Sequence, residues 1–552
     1  MKDASSGIGL DNAGKEPVIE FAARTLSLSG ARTRVQDVHV FWLGTALVSC
    51  ALAAVLGWLL NRWPPHEDET LALFVGRRSF GDALHTVVAE RGGAPLHFAI
   101  AWTVVHLGGG LTALRVVSLV FAVASVPLIA LLGARVADRT AGLVATLLAS
   151  GTWAMLFQGI YGRMYSLFLL TSLLSFLALL AALEHGGWKR FAFWGAAVVL
   201  MLASHPYAAL VVAAQALYLL LRRERLREAL VTLGAIAVVG IPFWWADFVL
   251  RDRFDVGLGG GGRRLGSPGA VLHYLWWVSG DFSAGHHAWS VPVLLLALAG
   301  AVLLARRRRA GLLMTACVVA VPALAFMLAT LHSSVSPEAR HLIFALPFFS
   351  ILVAVPLVSL GGVRPPLTAA LALAAVGVLL VGELRWAHRK TPALFDGDPR
   401  VEVHARAAAA AWLADTARPD DVLLGYEPLY LLAWERNRSF SIHALPRADP
   451  TLFANALKDV PVPIGHGVFV LDAGDTTNVS ERQSIPFVLP SPARDYEGRV
   501  FGPYLVIRTR APLQTRAGYL DAAAAVMRLG RKLEIGDADV NLGTIVQARS
   551  RF

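Results

Sequence analysis

The sequence predicts an α-helical polytopic membrane protein of about eleven transmembrane helices, followed by a soluble α/β or α+β domain. Three observations predict it. Of the 552 residues, 56% are hydrophobic and only 16% charged, more apolar sequence than a soluble core of this size needs. The apolar residues fall into runs of roughly bilayer length, separated by short Arg clusters. Near Lys390 the composition turns mixed polar and stays so to Phe552. The net charge of +11 resides largely in the Arg clusters, so it reads as positive-inside bias. A lipid bilayer is therefore the expected partner, and nucleic acid is not. Cys50 and Cys317 both fall inside apolar runs, which leaves no disulfide framework.

Residues 1–37 are polar and basic without an h-region, and read as a cytoplasmic tail. The first span, 38–60, leaves the membrane at Trp63, which opens a first outer loop over 61–115. Within that loop an amphipathic segment, 71–91, lies along the surface, and the apolar stretch 96–107 is too short to cross. Taking 96–107 as interfacial or re-entrant places every later basic cluster (Arg135, Lys189, Arg222, Arg306 and Arg364 among them) on the cytoplasmic side. The remaining spans are 116–132, 141–157, 164–183, 191–204, 207–221, 229–250, 291–305, 311–331, 342–360 and 367–380. The short pair meeting at His205-Pro206 reads as a hairpin with a sunken tip, or as one helix kinked at Pro206. A long outer loop covers 251–290, and the membrane domain as a whole covers 38–390. Residues 391–552 form the soluble domain, outside the cell by parity. It has a helix over 403–417 and strand-like runs at 422–424, 468–471, 504–507 and 543–546.

The chemistry-bearing residues gather on the outer face. Glu67, Asp68 and Glu69 follow His66 just past the first span; on spacing alone they also fit a solvated loop. Opposite them parity places Arg77, Arg78, Arg91, Arg115, Arg163 and Arg340. Arginine outside runs against the topological bias and needs another reason. A guanidinium stays charged when partly desolvated and offers a fork of donors, which suits a phosphate. The competing reading is pairing with Asp252, Asp281 or Glu338. Arg163, with Tyr165 beside it, is the clearest case, followed by Arg340-His341 and by His205. The glycine-rich tract 257–262 lacks a P-loop signature and reads as a lid, with Arg263 and Arg264 at its end. His286-His287 are adjacent and do not converge on one metal ion. A carboxylate to take a proton and an Arg/His cluster to hold a departing phosphate suggest transfer from a lipid-linked phosphate to a hydroxyl. One base facing the leaving group implies one in-line displacement, with inversion.

In order along the chain stand Asp68-Glu69-Thr70, Gly93-Ala94-Pro95-Leu96-His97-Phe98, Ala113-Leu114-Arg115-Val116-Val117-Ser118, Gly162-Arg163-Met164-Tyr165, Ser204-His205-Pro206-Tyr207 and Arg340-His341-Leu342-Ile343. Together this set resembles the bacterial C-type membrane glycosyltransferases related to protein O-mannosyltransferases and lipid A aminoarabinose transferases, over about residues 38–385. The resemblance implies a polyprenyl-phosphate-linked sugar as donor and Asp68 as base with Glu69 its companion. It also implies that Arg163, His205 and Arg340, with Tyr165 and His341 beside them, meet the donor phosphate. Glu67, His97, Arg263 and Arg264 are left as candidates for the acceptor or lid. The family's His-Pro-Pro element is Gly93-Ala94-Pro95 here, and Glu67 adds a third acid. No cofactor is firmly implied, although a divalent cation fits three clustered acids.

The reading is an inverting hexosyl- or pentosyltransferase in a bacterial inner membrane, acting on a glycan, lipid or protein acceptor of the cell envelope. A transporter or flippase of lipid-linked saccharides would carry charge along the midplane of its spans, which here are almost free of it. A scaffold for envelope assembly would be indifferent to Asp68.

Overall fold

The structure is a computed structural model that describes residues 16–253, 265–286, 288–331, 337–361, 365–424, 428–437, 442–445, 450–473, 484–535 and 538–552. Of the candidate residues, Arg263, Arg264, the tract 257–262, His287 and the side chain of Glu67 lie outside this description.

The first span is the end of a longer helix, α1 (Glu16–Leu59). The outer loop that follows is built of short helices, α2 (Glu67–Gly76), α3 (Phe80–His85), a π-helical turn Thr86–Arg91, and α4 (Pro95–His106). The stretch expected to lie at the interface is α4, and at 12 residues it falls well short of a span. Next come α5 (Leu111–Val136), α6 (Arg139–Gly151), α7 (Trp153–Ile160), α8 (Tyr165–His185), α9 (Trp188–Ser204) and α10 (Ala208–Arg222). The membrane part continues through α11 (Leu226–Val239), α12 (Ile241–Arg253), α13 (Pro268–Asp281), α14 (Ser290–Arg307), α15 (Arg309–Ala329), α16 (Leu346–Gly361) and α17 (Pro365–Lys390).

Among the described residues, 7 helices are long and apolar enough to cross a membrane, or up to 9 if two bent pairs each count as one span. The bends are 62° between α6 and α7 and 58° between α11 and α12. The two further spans expected at 191–204 and 207–221 fall on α9 and α10, which at 17 and 15 residues are not among those 9, and are divided at His205 by one extended residue (φ −164°, ψ 139°). The expected run 141–157 is broken after Gly151, where the Thr152 hydroxyl accepts from the Met155 N–H and starts a new helix.

The short α18 (Pro392–Asp396) packs back on the core of the membrane part, and the soluble domain packs α19 (Arg400–Thr416), α20 (Pro428–Arg436), α21 (Pro450–Asp459), α22 (Arg516–Lys532) and α23 (Ala538–Arg549) around one mixed sheet. Its strands are β1 (Val422–Leu424), β2 (His443–Leu445), β3 (Gly467–Asp472), β4 (Tyr496–Phe501) and β5 (Tyr504–Thr509), in the order β2-β1-β3-β5-β4. The pairs β1–β2 and β1–β3 are parallel, and β3–β5 and β4–β5 antiparallel. The run 543–546, expected as a strand, is helical. Ala538, Asn541, Ile545 and Ala548 recur at helical spacing and are all buried, and that period outweighs the short β-branched run.

Side-chain alternation sends the two faces of the sheet into different cores. Val422, Leu424, Phe469, Leu471, Leu505 and Ile507 point to α21, α22 and α23. Leu423, Val468, Val470 and Val506 point the other way, into a core completed by α19 and α20 and by Leu73, Phe98, Val104 and Leu114 of the membrane part. The acid-bearing loop and the soluble domain therefore lie on one face of the bundle and share a core.

Candidate active site

The acids enter α2 through a reciprocal cap. His66 Nδ1 accepts from the Asp68 N–H at 3.1 Å, and Glu69 Oε2 accepts from the His66 N–H at 3.2 Å. Helical geometry then turns the neighbouring acids in different directions. Glu69 is fully buried and gripped by Arg115, whose Nε and Nη2 donate to its two oxygens at 2.8 and 2.6 Å. The Gly162 N–H also donates to Glu69 at 2.7 Å, and Arg115 donates on to the carbonyls of Leu60, Trp63 and Pro64. This pair ties the end of α1, the start of α2, α5 and the turn before α8 together, and Arg115 has no reach left for a phosphate.

Asp68 keeps a side chain 35% exposed, with Arg163 Nη1 3.6 Å from its Oδ1. Arg163 also donates to the Asp68 carbonyl at 3.0 Å. The Tyr161 hydroxyl lies 3.4 Å from Asp68 Oδ2 and 3.0 Å from His66 Nδ1. Burial pushes the Asp68 carboxyl up, but Arg163, His66, Arg340 and Arg91 together outweigh it and hold the group well below the usual carboxylate range. Burial, and then the Asp68 charge, drive the Tyr161 phenol far up, so it remains a donor.

Behind the two arginines stands an aromatic group. His205 stacks on Phe168 at 4.6 Å, and His341 on Tyr207 at 4.7 Å. Tyr165 completes a triangle with them, its ring 5.5 Å from that of His205 and 6.0 Å from that of His341, which are themselves 5.7 Å apart. Each histidine uses Nδ1 to accept a backbone N–H, from Tyr207 at 3.0 Å and from Glu338 at 2.9 Å. The guanidinium of Arg340 sits 5.2 Å over the Tyr165 ring and donates to Glu338 Oε1 at 2.6 Å. The pairing that the sequence also allowed thus exists for Arg340. Asp281 pairs instead with Lys390, which lies 3.5 Å over the Trp153 ring. His97 is buried under the fields of Arg163 and Arg91.

A cavity of about 1400 Å³ is bounded by His66 and Tyr161, two of the side chains that reach Asp68. Arg340, Trp63, Trp153, Phe157 and Lys390 also line it. Seven sequence candidates, Asp68, Arg163, Tyr165, His205, Arg340, His341 and His97, are thus brought to one place. Glu69 belongs to the scaffold beneath them. The sequence analysis missed His66 and Tyr161 as partners of the acid. Tyr161 was legible only as the residue two before Arg163, and His66 only as the residue before three acids. Among the described residues, no group of three or more His, Cys, Asp or Glu side chains converges as a metal site would.

Residues 92–245 match the family described as dolichyl-phosphate-mannose-protein mannosyltransferase. Among solved structures, ArnT from Cupriavidus metallidurans in the apo state superposes with a TM-score of 0.55 at 14% identity, over 85% of this chain and 98% of that one. The chain shares the fold of ArnT. The same ArnT bound to undecaprenyl phosphate gives a TM-score of 0.54 at 13% identity, again over 85% and 98% of the two chains. No curated protein matches in sequence. The resemblance read from the ordered motifs therefore stands on a family match and on the shape of nearly the whole ArnT chain, although few residues are identical.

Proposed function

We propose that the chain is an inverting glycosyltransferase that moves a sugar from a polyprenyl-phosphate donor to a hydroxyl acceptor. It would work on the outer face of a bacterial inner membrane, with residues 391–552 outside. The observation that carries the reading is the pairing of Asp68 with Arg163, next to His66 and Tyr161, which with Arg340 line a cavity large enough for a sugar and its acceptor. The ArnT structure that holds undecaprenyl phosphate supports the donor class, and the mannosyltransferase match supports a sugar as the group moved.

In the step proposed, the acceptor oxygen attacks the anomeric carbon as the bond from that carbon to the phosphate oxygen breaks. The bonding pair leaves with the polyprenyl phosphate, whose charge falls to Arg163 and Arg340. The acceptor proton passes to Asp68. A carboxylate held this far down is a weak base in the ground state. It suffices because the attacking hydroxyl becomes strongly acidic once bonded to an electron-poor carbon. Tyr161 and His66 orient Asp68, and Glu69 with Arg115 fixes the loop that carries it.

The test uses the full chain in nanodiscs with undecaprenyl-phospho-mannose and a panel of other undecaprenyl-phosphate sugars, in the presence of envelope extract. Release of undecaprenyl phosphate and an inverted anomeric linkage in the product are expected for one donor, and Asp68→Asn should lower the rate by at least about 10²-fold. Asp68→Asn with unchanged transfer, or a product of retained configuration, overturns the reading. For sidedness, a cysteine placed at Arg551 should react with an impermeant maleimide on intact spheroplasts.

A further inference from the structure

The short helix α7 and the residue that caps its end, Tyr161, bring four side chains to the large cavity: Trp153, Phe157, Gln158 and Tyr161. Three of them are rings, spaced four residues apart and stacked in turn. Trp153 lies on Phe157 at 5.4 Å and 11°, and Phe157 on Tyr161 at 5.0 Å and 23°. The fourth breaks the pattern. Gln158 is 1% exposed, and neither its Nε2 nor its Oε1 meets a hydrogen-bond partner among the described residues. Its backbone is anchored, the carbonyl accepting from the Ser166 hydroxyl at 2.5 Å. A carboxamide offers two donors and two acceptor lone pairs. Burying all of them unmet costs stability that an apolar residue of the same length would not cost.

The neighbours of this amide decide its role. Tyr161, three residues on, has its hydroxyl 3.4 Å from Asp68 Oδ2. The helix also packs on the 3₁₀ turn Ala339–Ala345, which carries Arg340. Arg340 lines the same cavity, and its Nε is likewise buried without a partner among the described residues. Asp281 and Lys390 line it too, but they are already paired with each other. Gln158 thus shares one cavity with a partner of the proposed base and with a proposed holder of the phosphate. In the transfer step the group that joins those two points is the sugar, bonded to the phosphate oxygen and open to the acceptor. A sugar ring carries adjacent hydroxyls, each both donor and acceptor, and a carboxamide matches such a pair with its N–H and its C=O.

We propose that Gln158 is a specificity-determining residue for the transferred sugar, its carboxamide donating to one ring hydroxyl and accepting from the next. The inference rests on the glycosyl transfer of the preceding subsection and adds the side chain that reads the sugar. The amide comes to the lumen by rotation about its terminal torsion, which is soft in glutamine. Trp153, Phe157 and Tyr161 keep water from competing for it. A site that hydrogen-bonds a hydroxyl rejects a ligand lacking it far more strongly than an apolar pocket does, so the amide selects among sugars of equal size.

The experiment measures binding of undecaprenyl phosphate, undecaprenyl-phospho-mannose and the other undecaprenyl-phosphate sugars of the panel to the full chain in nanodiscs, and the melting temperature with no lipid added. The wild type should bind one sugar-bearing lipid more tightly than undecaprenyl phosphate. Gln158→Met should weaken that lipid by about 10-fold and leave undecaprenyl phosphate unchanged. It should also keep or raise the melting temperature, because it removes a buried amide that has no partner. Gln158→Met with the wild-type preference intact overturns the proposal. So does a lower melting temperature, which shows the amide to be paired inside the protein, or equal weakening of both lipids. A wild type that transfers a sugar yet binds its donor no better than undecaprenyl phosphate overturns this inference alone. One that binds none of these lipids overturns the donor reading as well.

Discussion

Asp68 and Glu69 are chain neighbours with opposite fates. Successive helical residues point about 100° apart, so when α2 lies against α5, one acid faces Arg115 and the other Arg163 and Tyr161. That partition was not legible beforehand, because three consecutive acids carry no sign of which face will be buried. Replacing Glu69 by Gln, or Arg115 by Met, leaves the remaining partner charged and sealed, and should cost about 3–5 kcal/mol by unfolding in detergent. Asp68→Asn, at a side chain 35% exposed, should lower the melting temperature by clearly less than Glu69→Gln does, while transfer is lost. A melting loss at Asp68 as large as at Glu69 would sink the division of labour. His97 gives a pH signature. Burial first, then Arg163 and Arg91, push its imidazole down to about 3, so the folded chain refuses a proton that the unfolded chain accepts below 6.5. Its stability is complete above pH 6.5 and declines as pH falls toward 3, by about 2 kcal/mol at pH 5. His97→Gln should flatten the decline between pH 7 and pH 5; an unaltered slope refutes the assignment.

At the scale of elements, the periodic and apolar runs were legible and their interruptions were not. The sequence marks 141–157 as continuous, yet Ser150-Gly151-Thr152 ends α6 and caps α7, and only this bend presents Tyr161 to Asp68. Thr152 is a usable signal in hindsight, but an N-cap residue inside an apolar run competes with every other threonine that merely bonds back to its own helix. Close helix crossings were equally hidden. A Cβ at Gly300 of α14 would lie 1.9 Å from the Leu352 carbonyl of α16, and one at Gly133 of α5 would lie 2.4 Å from Gly142 of α6. Small residues at such crossings let backbones touch in a bilayer. Gly300→Leu should therefore lower the melting temperature sharply, with a loss of more than about 2 kcal/mol, whereas Gly377→Leu, with open space around its Cβ, should be close to neutral. Equal effects would refute the crossing as the cause.

For the whole molecule, the two-part plan and its boundary near Lys390 were legible from composition alone. The seating of one part on the other was not, since it depends on which face of a short sheet each apolar residue takes. Arg77 is the peg of that seating, bonded to the Tyr430 hydroxyl and lying 4.8 Å over the Trp434 ring, while Glu435 accepts from the Leu111 N–H at 3.2 Å. Arg77→Ala should expose the junction after Lys390 to limited proteolysis. An unchanged cleavage pattern would argue against the peg.

The shared core also sets an order of events during synthesis. The loop that carries Asp68 leaves the ribosome early, but Leu73, Phe98 and Leu114 receive their partners Leu423, Val468 and Val506 only after more than three hundred further residues have been made. Until then the loop, though tied down at Glu69 by Arg115, has an unmet apolar side. Under the proposed function, a nascent chain sitting in the bilayer is expected to gain full activity only when the final third docks.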